Sequence, residues 1–61
     1  MDKYDLVGNI IEYESGGLSD QDTVILFQHL IDNGQAWTLQ GSYGRMAEAL
    51  INQGYCSIGG D

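Results

Sequence analysis

Proline is absent from this chain, cysteine and histidine occur once each, and only Lys3 and Arg45 carry a fixed positive charge. Each shortage closes a route. Without proline, no helix is broken by a ring that lacks an N–H, so helix ends must be set by caps and glycines. With Cys56 alone, no internal disulfide can form, and a lone thiol fits a reducing compartment. One cysteine and His29 cannot supply the four ligands of a structural zinc site. The longest unbroken apolar run is Val24-Ile25-Leu26-Phe27, far short of the roughly 20 residues of a membrane span. No basic segment leads into an apolar run, so a secretory signal is not expected. Nine acids against two cations leave a formal charge of −7, a sign that repels phosphate backbones.

What remains is a chain of 61 residues, 43% of them hydrophobic, which is enough for one small domain. Domains of this size bury only about 60% of the surface their unfolded chain exposes. Compact helix packing or a second chain must make up the difference, and a homodimer is compatible with both size and composition. The excess negative charge keeps such a protein dispersed and suits a basic surface on another protein.

Glycines punctuate the chain and divide it into three helical segments. The first is expected from Asp2 to Ser15, with Leu6, Val7, Ile10 and Ile11 on one face and Asp2 and Asp5 in the first turn. Gly8 inside it costs about 1 kcal/mol against alanine, which a close helix–helix approach would justify. The second opens at Ser19, with Asp22 three residues on in the place of a capping-box partner. Val24, Phe27, Leu30 and Ile31 form its main stripe, and Gly34 closes it. Ile25 and Leu26 fall off that stripe, so the helix is apolar on a second side that a partner could cover. The third is expected from Ser42, as cap, to Asn52 or Gln53, with Tyr43, Met46, Ala47, Leu50 and Ile51 inward and Gly54 closing it. Between the last two, the alternation in Ala36-Trp37-Thr38-Leu39 reads as an extended crossing that drops Trp37 and Leu39 into the core. A short strand is the alternative there. The fold class is therefore all-α: a three-helix domain over residues 1–56, packed around Trp37, with 57–61 as a flexible tail.

No nucleophile, base and orienting group stand at related positions, so no enzymatic activity and no cofactor are expected. The acids Glu12, Glu14, Asp20 and Asp22 lack the spacing of a calcium loop and read as solvated faces and caps. Cys56 reads as a small buried hydrophobe and His29 as a surface or boundary residue. Gly41 and Gly44 lack the lysine of a phosphate loop. They read as a sharp helix entry and as a place where another helix comes close. The residues that gather at the junction, Trp37, Gln40, Tyr43 and Arg45, are the candidate partner-binding set. Arginine and tryptophan are enriched among interface hot spots, although a lone tryptophan is also a natural core centrepiece and Arg45 can pair with Glu48.

The joint occurrence of Leu39-Gln40-Gly41, Tyr43-Gly44-Arg45 and Gly54-Tyr55-Cys56 resembles a family of very small proteins from tailed bacteriophages, cyanophages among them. The likeness extends over roughly residues 10–56. This chain has Ser42 where relatives often have histidine, so a role needing histidine there is not carried over. The family is one of unknown function, and the resemblance implies a setting: the cytoplasm of an infected host. In that setting the expectation is a non-enzymatic acidic accessory protein. It would bind a host or viral protein and modulate nucleic-acid-handling machinery such as transcription or defence. The alternatives are a helix-turn-helix-like DNA-binding regulator and a minor structural or assembly protein of the virion. Nucleic acid and membrane are not expected partners.

Overall fold

The computed structural model describes residues 4–58. It comprises α1 (Leu6–Glu14), α2 (Asp20–Asp32), a single 3-10 turn (Gln35–Trp37) and α3 (Gly41–Asn52), with no strand among the described residues. The all-α class and three-helix architecture are as expected.

Local chemistry sets the helix limits. Asp5 is the N-cap of α1, its Oδ1 accepting the Gly8 N–H at 3.0 Å. It therefore precedes the first turn instead of lying in it; Asp2 lies outside the described residues. A Cβ on Gly8 would collide with the Asp5 carboxylate. That glycine makes room for a cap, and not for a neighbouring helix. In α2, Ser19 Oγ accepts the Asp22 N–H at 3.1 Å, and Asp20 and Asp22 sit in the first turn, where the dipole favours them. After Asn33, Gly34 takes φ +82, the left-handed value that side-chain-bearing residues avoid. Asn33 Oδ1 then accepts the Gln35 N–H at 2.9 Å and starts the 3-10 turn. The crossing expected to be extended is thus coiled, because its amide groups find partners locally. Helix α3 begins one residue before Ser42, with Gln40 at the N-cap position and no side-chain cap bond. At its far end the N–H groups of Tyr55 and Cys56 both donate to Leu50 O, at 2.9 and 3.2 Å, folding the chain back on the last turn.

Helix α2 is central. Helix α1 packs on it from one side, and the 3-10 turn wedges between α2 and α3. Leu26, Phe27 and Leu30 are fully buried, joined by Ile31, Ala36, Tyr43, Ala47, Leu50 and Cys56. Leu26, placed off the stripe by periodicity, is thus core, while Val24 is half-buried. On α1 the inward residues are Leu6, Ile10 and Tyr13, whereas Val7 and Ile11 stand 68% and 60% exposed. The helix packs mainly on α2 and reaches α3 only through Tyr13 and Glu14, so it buries a narrow stripe and cannot cover all four aliphatics.

Trp37 is not the core centrepiece: it is 47% exposed, and Leu39 is exposed beside it. The centre is instead an aromatic trio, one ring from each helix. Tyr13 meets Phe27 edge-on at 5.2 Å and Tyr43 at 5.6 Å, and Phe27 and Tyr43 lie 5.7 Å apart at 25°. Such offset and edge contacts satisfy the ring quadrupoles and add to area burial.

Candidate protein-binding surfaces

The 3-10 turn places Ala36 inside and turns the next residue outward. Trp37 is consequently held over the first turn of α3: its Cε3 lies 3.8 Å from where a Gly44 Cβ would project, and Ala36 O lies 3.6 Å from that point. Gly44 therefore faces the turn and indole and not another helix, and at these distances a Cβ would fit in ordinary van der Waals contact. Gln40 and Arg45 are exposed on the same junction, along with Leu39. Three of the four candidate partner-binding residues thus lie on the surface.

Tyr43 is the exception. It is 4% exposed, and its hydroxyl donates to Glu14 Oε2 at 2.7 Å. Burial pushes its phenol up to about 12, helped by the hydrogen bond to the Glu14 carboxylate, that carboxylate's charge, and Tyr13. A phenol that must stay neutral in the fold is a structural donor. Glu14, read from sequence as part of a solvated face, is its acceptor. Sequence offered one signal for this pair: a tyrosine in the apolar stripe of α3 needs a partner for its hydroxyl.

A second feature lies between α2 and α3. A groove of about 590 Å³ is lined by Val24 and Ile25 from α2, Met46 and Leu50 from α3, and Tyr55 from the return after α3; Asp20, Gln21 and Thr23 form its polar end. Periodicity pointed to it only through Ile25, which fell outside the main stripe. Tyr55, 62% exposed, folds back on the last turn of α3 after Gly54, as the sequence suggests, but no helical pattern places it at a groove.

The remaining chemistry-bearing side chains have structural occupations. Cys56 is buried, its thiol donating to Val24 O at 3.6 Å; burial, then the Asp32 charge, raises its pKa, which disfavours the reactive thiolate. His29 is exposed and stacks on Tyr4, with ring centroids 3.9 Å apart at 13°. Burial, with the charges of Asp22 and Asp5, raises the Tyr4 phenol. Of the tail 57–61, Ser57 exchanges two hydrogen bonds with Gln28, at 2.9 and 3.0 Å, while 59–61 lie outside the described residues. Among the described residues no group of three or more His, Cys, Asp or Glu side chains is placed to hold a metal ion, and no helix is long and apolar enough to cross a membrane.

Compared with known proteins, residues 2–61 match the family described as a domain of unknown function, DUF7417, and the chain belongs to that family. No curated protein and no solved structure matches it.

Proposed function

We propose that this member of the DUF7417 family is a non-enzymatic accessory protein that acts by binding another protein. The observation that carries the reading is the exposure of Trp37, held over Gly44 beside Gln40 and Arg45. A domain with few large side chains would ordinarily bury its only indole. An exposed aromatic anchor and an exposed guanidinium in one short stretch are the residue types that dominate interface energetics. Tyr43 serves this surface from beneath, fixing the first turn of α3 against α1 through Glu14.

The sequence resemblance to tailed-phage proteins supplies the setting. The protein works in the cytoplasm of an infected host, on a host or viral protein, and modulates nucleic-acid-handling machinery such as transcription or defence. The formal charge of −7 supports a partner with a basic surface over a direct duplex contact. A helix-turn-helix reading has less support, since Tyr43 faces the core and Arg45 is the one cation of α3. Self-association remains part of the proposal, because the exposed apolar residues of α1 suit a second copy.

Affinity capture from infected-cell extract, read by mass spectrometry, tests the reading. The tagged chain should retain a discrete partner that Trp37→Ala and Arg45→Ala each release. Recovery of nothing above background, or equal recovery by all three proteins, removes it.

A further inference from the structure

We infer that the groove between α2 and α3 is a docking site for a cationic amphipathic helix of another protein. The inference rests on the protein-binding reading above but seats a partner on a different face from Trp37. Three observations converge. The lining is mainly apolar and comes from both helices, with Val24 and Ile25 from α2 and Met46 and Leu50 from α3. Its volume, about 590 Å³, lies within the range of preformed binding pockets and admits a few large side chains, not a whole element. Tyr55 stands 62% exposed at its wall, an amphipathic ring free to close over an inserted side chain.

Charge identifies the occupant. Among the described residues the only ionised group lining the groove is Asp20, and Asp22 shares its helical turn. A segment that offers Leu or Phe to the floor therefore meets favourable potential only if Lys or Arg flanks those anchors. A second copy of this chain is a poor candidate. It brings nine acids against two cations to a groove where, among the described residues, no Lys or Arg balances Asp20. A strand is a poor candidate too, because the groove has helical walls and the described residues offer no sheet edge to extend. An apolar groove lined by residues of two helices suits a helix presenting residues at i, i+3 or i+4, and i+7. Such a helix would complete the packing of α2 on the side that α1 leaves open.

The probe is a fluorescein-labelled synthetic helix of about 20 residues, with Leu at i, i+3, i+4 and i+7, Lys or Arg flanking them and Ala elsewhere so that helix is populated in water. Fluorescence anisotropy against the full chain should show saturable binding. Ile25→Ser and Tyr55→Ser, both at exposed positions, should each weaken it about tenfold, with circular dichroism confirming unchanged helix. Asp20→Asn should weaken it about threefold and flatten its salt dependence, while Val7→Ser on α1 leaves it unchanged. The inference is overturned by no saturable binding up to about 1 mM peptide. Equal affinity across the wild type and the groove variants also overturns it. Loss on Trp37→Ala alone overturns it as well, but leaves the junction surface standing as the partner site. Sedimentation supplies the last arm: a dimer abolished by Tyr55→Ser would assign the groove to a second copy instead.

Discussion

Tyr43 links α1 to α3 with a hydroxyl that must remain protonated. An unfolded tyrosine loses its proton near 10, whereas this one holds it to about 12. Stability from this group is therefore whole below pH 10 and declines as pH rises toward 12, because the unfolded chain ionises first. Tyr43→Phe should cost about 0.5–1.5 kcal/mol at neutral pH, the usual worth of one hydrogen bond. In urea titrations at pH 7 and pH 11, the wild-type advantage should shrink at the higher value. A constant gap would show that the hydroxyl is not held by Glu14. The two largest apolar side chains differ more sharply. Phe27→Ala should cost about 3–5 kcal/mol, which is enough to unfold a domain of this size, since the ring is fully buried against Tyr13 and Tyr43. Trp37→Ala should cost about 1 kcal/mol, because half its ring already faces water. Thermal melts followed by circular dichroism decide both. Equal losses would restore the indole to the centre of the fold.

Helix ends depend on single side chains. Ser19→Ala removes the Oγ that accepts the Asp22 N–H and should lower stability by about 1 kcal/mol. Glycines split into two kinds. Gly34, at φ +82, closes α2 in a conformation that alanine resists, so Gly34→Ala should lose about 1–2 kcal/mol. Gly44 is inside α3 with ordinary helical geometry, and an added methyl would meet Ala36 O and Trp37 at van der Waals distance. Gly44→Ala should therefore gain about 0.5–1 kcal/mol from helix propensity. Denaturant midpoints for the pair should move in opposite directions. A Gly44→Ala variant that loses stability would mean that the turn and indole sit closer to Gly44 than van der Waals contact allows. These element limits are the part of the fold most legible in the sequence. Ser19 and Gly34 act within one turn of where they stand, so their roles survive whatever the rest of the chain does. Ser42 misleads because a cap needs non-helical backbone at its own position, and α3 has already begun at Gly41.

The molecule as a whole carries nine acids against two cations and leaves Val7, Ile11, Ile25, Trp37, Leu39, Tyr55 and Ile58 exposed. Self-repulsion opposes compaction and is screened within about 8 Å at physiological ionic strength. The melting midpoint should accordingly rise as sodium chloride increases from about 0.01 to 0.15 M, over which the Debye length falls about fourfold. An unchanged or falling midpoint would show that local charge pairing outweighs the net repulsion. The candidate site was half legible. Trp37, Gln40 and Arg45 were singled out by rarity and adjacency, and each is exposed. Tyr43 was grouped with them by proximity in the chain, but a residue two positions from an exposed one on a helix points elsewhere. The groove was nearly invisible, since its wall, Tyr55, is placed by a backbone turn after α3 and its floor by two helices at once.

Sequence alone determined the helical class, the limits of α2, the acidity and the lack of a disulfide framework. Caps, glycines and apolar spacing act between residues one turn apart, and charge is a sum that needs no geometry. Only the tertiary structure decided which apolar side chains went inside: Leu26 and Tyr43 in, Trp37, Val7 and Ile11 out. That choice depends on how each helix is rotated against its neighbour. The rotation is set by contacts between residues far apart in the chain, such as Tyr43 with Glu14 and Cys56 with Val24, which no local pattern encodes.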